Sequence, residues 1–165
     1  MTALTGLATT LGARSTAIRP RLLVSVRSVD EARAAIAGGA DIIDVKEPAA
    51  GALGMAAVAV IEAIAAFCNT AGVPCSAALG ELPERGNDPT KWRLSAHLTW
   101  AKVGLAGCRD RPHWPEELRT LLDERLHRST GRIAVAYVDA DRASAPSLSD
   151  VAEQARRLGC VGLLL

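Results

Sequence analysis

The sequence predicts an α/β fold in which strands and helices alternate along a chain of 165 residues. Short apolar runs are separated by segments whose apolar residues recur at helical spacing. The strand starts lie 20 to 33 residues apart, which is long enough for the crossover of a parallel βαβ unit. The runs are continuously apolar, as expected of a parallel sheet that is covered on both faces.

Six strands and five helices are predicted. The strands span residues 22–26, 42–45, 75–79, 99–103, 133–138 and 161–165. The helices span about residues 29–37, 55–71, 92–97, 114–127 and 149–158. Ser28 and Glu31 have the spacing of a capping box at the first helix, and Ser149 is the expected cap of the last.

Polar residues follow the apolar strands at several carboxyl ends, namely Asp44 and Lys46, Lys102, and Asp139. That edge forms the active face of a TIM (β/α)8 barrel, and it favours this barrel over a doubly wound sheet. No G-x-G-x-x-G follows the first strand, which disfavours dinucleotide binding. A complete barrel needs about 200 residues or more. We therefore expect an incomplete TIM barrel that lacks about two βα units.

The domain organisation is predicted to be simple. Residues 1–20 have no clean period and are interpreted as a flexible tail, with a transit peptide or export signal as the alternative. Residues 21–165 form the partial (β/α) barrel domain. The exposed edges of the first and last strands make a homo-oligomer possible.

Composition excludes several classes of partner. The net charge is +1 and aromatic residues make up 3% of the chain, so neither nucleic acid nor an anionic membrane is expected. The longest apolar runs fall short of the roughly 18 residues of a membrane span. Four cysteines without a C-x-x-C motif indicate reduced thiols in a cytoplasmic protein without a metal site.

Lysine is rare, since it occurs only at Lys46, Lys91 and Lys102 among 19 basic residues. Alternation along a strand puts Asp44 and Lys46 on one face of the second strand. Lys102 lies on the fourth strand, about 9–10 Å away by strand spacing. Two ammonium groups in one poorly solvated site disfavour each other, so one of them becomes a competent nucleophile or base. The alternative is a buried structural ion pair between Asp44 and Lys46.

Four blocks of the sequence are similar to a known family. The blocks are residues 41–48 (DIIDVKEP) with residues 51–54 (GALG), residues 76–83, which end in GELP, residues 101–105 (AKVGL) and residues 136–141 (AYVDAD). They occur in the same order in that family. They resemble the (5-formylfuran-3-yl)methyl phosphate synthases, which belong to methanofuran biosynthesis in methanogens and methylotrophic bacteria.

The resemblance implies a lyase of one-carbon metabolism that condenses two molecules of glyceraldehyde 3-phosphate. The product is 4-(hydroxymethyl)-2-furancarboxaldehyde phosphate, and phosphate and water are released. It implies that Lys46 forms a Schiff base, that Lys102 is the proton acceptor and that Asp44 assists proton transfer, without a metal or organic cofactor. Another Schiff-base aldolase and an inactive fragment remain alternatives.

Two further residues are expected to bind substrate. Gly54 ends a loop whose backbone N–H groups can face a phosphate at the next helix. Asp139 follows the fifth strand at the expected active face. Arg109 and Arg111 are alternative phosphate ligands, but a merely polar loop is the favoured interpretation of these two residues.

Overall fold

The computed structural model describes residues 20–85 and 92–165. The predicted tail, apart from residue 20, and Lys91 therefore lie outside the described residues. Six strands occur within these ranges: β1 (Leu23–Val26), β2 (Ile42–Val45), β3 (Cys75–Glu81), β4 (Trp100–Gly104), β5 (Gly131–Val135) and β6 (Gly162–Leu164). The helices in the same ranges are α1 (Val29–Ala37), α2 (Val58–Ala71), α3 (Leu82–Arg85), α4 (Trp114–Arg125) and α5 (Leu148–Arg157), with a 3₁₀ turn at Pro48–Ala50.

Local capping explains where several helices begin and end. The Ser28 hydroxyl accepts a hydrogen bond from the Glu31 N–H (3.1 Å), as the sequence predicted for α1. Gly72 ends α2 with φ of +69°, a conformation that glycine adopts without steric cost. The cap of α5 is Ser147, whose hydroxyl accepts from the Asp150 N–H (3.1 Å). The prediction of Ser149 as this cap was wrong by two residues.

The predicted helix over residues 92–97 is also wrong, because this segment forms no helix. Its backbone is held by distant partners instead. The N–H of Leu94 donates to the carbonyl of Arg125 (2.8 Å), and the N–H of Ser95 donates to the Glu62 carboxylate (2.7 Å). Tertiary hydrogen bonds thus replace the local ones that a helix requires. The short helix between β3 and β4 is α3, which directly follows β3.

The main core lies between the sheet and the long helices. Alternate strand residues, such as Ile43 and Val45 of β2, are fully buried there. They pack in one cluster with Ile61 and Ile64 of α2, Leu118 of α4 and residues of α1 and α5. Because α1, α2, α4 and α5 all contribute side chains to this one cluster, these helices cover a single face of the sheet. Successive right-handed crossovers in a sheet of consecutive strand order produce this arrangement.

The α/β class is confirmed, but the expected TIM barrel is wrong. The strands follow one another in the order β1-β2-β3-β4-β5-β6, and every pair is parallel. Within the described residues β1 pairs only with β2, and β6 pairs only with β5. The sheet is therefore an open half-barrel of six strands. A barrel of the TIM type closes with eight strands, the number at which side chains just fill the interior.

No helix among residues 20–85 and 92–165 is long and apolar enough to cross a membrane. The longest of them is α2.

Candidate active site

Asp44 and Lys102 form a buried ion pair on the face of the sheet opposite the helices. The Lys102 ammonium donates to the Asp44 carboxylate over 2.7 Å. Lys102 is only 8% exposed and Asp44 only 2% exposed, so the pair is largely shielded from water. Strands β2 and β4 supply these side chains across the intervening β3. The structure thereby brings together two of the three predicted catalytic residues.

The Asp44 carboxylate has enough donors to be stable when buried. The hydroxyl of Ser76 on β3 donates to one of its oxygens (2.5 Å), and the hydroxyl of Ser25 on β1 donates to the other (3.3 Å). Ser25, Asp44 and Ser76 are aligned in register across three adjacent strands. Hydrogen bonds to a charged acceptor offset the cost of removing it from water.

Lys46 follows the last residue of β2, and its N–H continues the ladder by donating to the Val26 carbonyl (3.3 Å). The register pairs Val45 with Ala77, so one residue further Lys46 aligns with Ala78. Ala78 in turn pairs with Lys102. Both lysines therefore belong to the same row of the sheet, two strands apart.

The Lys46 ammonium differs from that of Lys102 in its partners. Within residues 20–85 and 92–165 it makes no hydrogen bond or ion pair, and the residue is partly exposed. The alternative interpretation paired Lys46 with Asp44, but Asp44 binds Lys102 instead. The nitrogen of Lys46 is consequently free of a salt bridge with the described part of the chain.

A cavity of about 340 Å³ lies on the same face of the sheet and reaches Lys102 and Ser76. Its volume falls within the range of small-molecule sites. Most of its walls are apolar, and they continue toward the amino ends of the strands. They include Leu23, Ile42, Trp100 and Ile133, together with residues of β6. Lys46 does not line this cavity.

Glu81 and Tyr137 form a second polar contact near the carboxyl ends of the strands. The Tyr137 hydroxyl donates to one Glu81 oxygen (2.6 Å), and the N–H of Ala106 donates to the other (2.8 Å). Burial, followed by the hydrogen bond to Glu81, raises the pKa of Tyr137. Sequence reasoning placed Glu81 in a loop that either covers substrate or is only a connection, and it predicted neither Glu81 nor Tyr137 as a site residue. The usable signal was that Tyr137 is the chain's single tyrosine and follows β5.

Gly54 closes the loop between β2 and α2. Its N–H donates to the Gly51 carbonyl (3.0 Å), and its carbonyl accepts from the Glu47 N–H (2.8 Å). A Cβ atom at Gly54 would lie only 2.1 Å from the Glu47 carbonyl oxygen, so the close approach requires glycine. The N–H of Gly54 is thus used within its own loop, and its predicted contact with substrate stays a prediction.

Asp139 lies in the turn that follows β5 and is exposed. Its backbone carbonyl accepts from the Ala143 N–H (3.0 Å). Its carboxylate makes no hydrogen bond or ion pair within the described part of the chain, and its negative charge contributes to the raised pKa of Tyr137. A substrate-binding role for Asp139 likewise stays a prediction.

The remaining candidate residues have structural partners. Arg109 binds Asp141 (2.7 Å), and Arg111 binds Glu117 (2.6 Å). Arg111 also lines a second cavity of about 550 Å³, which lies between α3 and α4. This cavity shares no lining residue with the one that contains Lys102.

The four cysteines are free thiols, and three of them are buried. Burial raises the pKa of Cys75 and raises that of Cys108 to about 11. Among the described residues, no group of three or more His, Cys, Asp and Glu side chains is arranged to hold a metal ion.

Comparison with known proteins agrees with the motif blocks of the sequence. The family model of 4-HFC-P synthase matches residues 22–165. The chain belongs to the 4-HFC-P synthase family. The resemblance inferred from the sequence is therefore confirmed.

The curated relatives are named (5-formylfuran-3-yl)methyl phosphate synthase, the family that the motif blocks resemble. The (5-formylfuran-3-yl)methyl phosphate synthase of Methanococcus maripaludis strain S2 is 36% identical over 144 residues, covering 84% of this chain and 61% of the relative. The synthase of Archaeoglobus fulgidus is 36% identical over 146 residues, with the same coverage of both chains. That of Methanocaldococcus jannaschii is 35% identical over 144 residues, again with 84% and 61% coverage. The chain thus spans about 61% of the length of these relatives.

Proposed function

We propose that this chain carries the catalytic lysines of a 4-HFC-P synthase in methanofuran biosynthesis. The substrate is glyceraldehyde 3-phosphate, two molecules of which condense through a Schiff base on Lys46. The observation that carries the proposal is the row shared by Lys46 and Lys102, in which only Lys102 is bound to Asp44. Membership in the family supports the choice of substrate and product.

Lys46 is the better nucleophile of the two lysines. Attack on a carbonyl carbon needs a nitrogen lone pair. A salt bridge stabilises the protonated ammonium, which has no lone pair. Lys102 is engaged in such a bridge, whereas the nitrogen of Lys46 has no acidic partner among the described residues. The carbonyl of a triose therefore reacts with Lys46.

Lys102 and Asp44 form the proton-transfer unit. Lys102 accepts a proton only after passing one of its own to Asp44, and the 2.7 Å hydrogen bond between them provides the path. Ser76 donates to the same oxygen of Asp44, so the carboxylate keeps its position as its charge changes. Residues held in this way contribute to general acid–base catalysis when they reach the reacting carbon.

The reaction follows from these roles. Lys46 is partly exposed, so its ammonium gives a proton to water. The neutral nitrogen then adds to the aldehyde carbon, and water leaves as the imine forms. The imine makes the neighbouring C–H acidic, and Lys102 removes that proton. The electron pair left on carbon expels phosphate from the next carbon, which breaks a carbon–oxygen bond. The resulting three-carbon unit forms a carbon–carbon bond with the second triose, and loss of two water molecules closes the furan ring. A further water molecule hydrolyses the imine, which breaks the bond to Lys46 and releases the aldehyde product.

Borohydride trapping tests the assignment of Lys46. Reduction in the presence of glyceraldehyde 3-phosphate is expected to add one triose phosphate to the peptide that contains Lys46, as read by mass spectrometry. Lys46→Arg is expected to abolish the label. Lys91→Arg is the matched control, because it removes another of the chain's three lysines, and it is expected to keep the label.

The other outcomes separate the alternatives. Labelling of Lys102 in place of Lys46 would reverse the two proposed roles. A label on Lys46 without the absorbance of a furan product would indicate another Schiff-base aldolase. The absence of any label would contradict the proposed catalytic role of this chain.

A further inference from the structure

The contact between Glu81 and Tyr137 spans three strand ends. Glu81 is the last residue of β3, Gly104 is the last residue of β4, and Tyr137 lies two residues beyond β5. The contact crosses β4 directly above Gly104. A Cβ atom at Gly104 would lie 2.1 Å from a Glu81 carboxylate oxygen, so the absence of a side chain there makes room for Glu81.

The pair lies on the same face of the sheet as Lys102. Tyr137 packs against Leu53, Ala78 and Val135 in a small apolar cluster that is separate from the main core. Ala78 is the register neighbour of Lys102 on β3. Alternation puts Gly104 on the same face as Lys102, one step closer to the carboxyl end of β4. Glu81 and Tyr137 therefore lie next to the row that contains both lysines, on the side toward the carboxyl ends of the strands.

The hydrogen bonds leave the phenol oxygen of Tyr137 with lone pairs that no donor among the described residues uses. A tyrosine hydroxyl carries one proton and two lone pairs, and Tyr137 gives its proton to Glu81. Both oxygens of Glu81 already accept from the protein, one from Tyr137 and the other from the N–H of Ala106. The phenol oxygen can then only accept a further hydrogen bond, so it selects a ligand that brings a donor.

We infer that Tyr137, held by Glu81, is a specificity-determining residue whose oxygen accepts a hydrogen bond from the hydroxyl of a three-carbon phosphate. The inference rests on the proposed function, since it assigns the ligand of the same site. Tyr137 recognises the hydroxyl on the carbon between the aldehyde and the phosphate-bearing carbon. Glu81 is a positioning residue, because it acts through Tyr137.

Two stable compounds isolate this contact from imine chemistry. Glycerol 3-phosphate and 3-hydroxypropyl phosphate differ only in the middle hydroxyl, and neither has a carbonyl that could react with lysine. Calorimetric titration of the unmodified chain is expected to give about tenfold tighter binding of glycerol 3-phosphate. Tyr137→Phe is expected to reduce this ratio to about one, while circular dichroism verifies that the variant is folded.

A spectroscopic measurement tests the pair without any ligand. The chain has one tyrosine, so the rise of tyrosinate absorbance with pH reports Tyr137 alone. Replacing the carboxylate by an amide in Glu81→Gln is expected to move this rise to lower pH, because the neighbouring negative charge is lost. The amide oxygen can still accept from Tyr137, so this variant is expected to keep most of the preference for glycerol 3-phosphate. Glu81→Ala is expected to lose it.

Several results would overturn the inference. These are failure of glycerol 3-phosphate to bind, equal affinity for the two compounds in the unmodified chain, and a preference that survives in Tyr137→Phe. An unchanged tyrosinate titration in Glu81→Gln would overturn the role of Glu81. Failure of the proposed Schiff base would leave these binding ratios unchanged, so the two proposals are tested separately.

Discussion

The two faces of the sheet have opposite chemistry although they alternate along the same strands. Toward the helices, residues such as Ile43, Ala77 and Val103 form a sealed apolar core. Toward the other side, Asp44 and Lys102 form a buried ion pair that serine hydroxyls support. The first face contributes most of the burial that stabilises the fold. The second face keeps charges that are costly to bury, which is typical of a functional site.

The largest effect is expected from breaking the ion pair on the second face. Asp44→Ala leaves the Lys102 ammonium buried without its partner and is expected to lower the free energy of unfolding by about 3–5 kcal/mol. Urea denaturation measures the loss. The double variant Asp44→Leu, Lys102→Met removes both charges and is expected to recover most of the stability. A double variant as unstable as the single one would contradict the view that the unpaired charge causes the loss.

A comparison of two adjacent isoleucines sharpens the contrast between the faces. Ile43 is fully buried against the helices, whereas Ile42 lines the open cavity and is partly exposed. Ile43→Ala is expected to lower the free energy of unfolding by about 2–5 kcal/mol, because it leaves a cavity in the packed core. Ile42→Ala is expected to cost clearly less in the same urea experiment. Equal losses would show that both faces are packed alike.

The smallest expected effect is a dependence of the protein's stability on pH, caused by a thiol in the helix-covered core. Burial raises the pKa of the Cys108 thiol from 9.0 to about 11, so the folded protein keeps this proton at pH values where the unfolded chain loses it. Its contribution to stability is fully present below pH 9 and is lost as the pH rises toward about 11. Between pH 8 and pH 10.5 the free energy of unfolding, measured by urea denaturation, is expected to decrease less in Cys108→Ala than in the unmodified protein. An identical decrease in both proteins would exclude the Cys108 thiol as its source.

Much of the local structure could be predicted from periodicity and capping. The order of strands and helices and the α1 cap at Ser28 follow from patterns only a few residues long. The segment of residues 92–97 could not be predicted in the same way. Its hydrogen bonds go to Glu62 and Arg125, about 30 residues away, and no local pattern encodes such partners.

The candidate site shows the same division. Motif blocks and the rarity of lysine identified Asp44, Lys46 and Lys102 as candidates. They did not identify the contact between Glu81 and Tyr137, whose members lie 56 residues apart. That contact depends on Gly104 being free of a side chain between them, which is a property of the assembled sheet.

The sequence by itself determined the family, the alternation of strands and helices, and which side chains share a strand face, because these depend on short repeats and motifs. Only the tertiary structure decided that the sheet is open and that Asp44 pairs with Lys102, 58 residues away, rather than with Lys46. Strand order and register bring those two groups together, and both arise from packing the whole sheet rather than from any local segment.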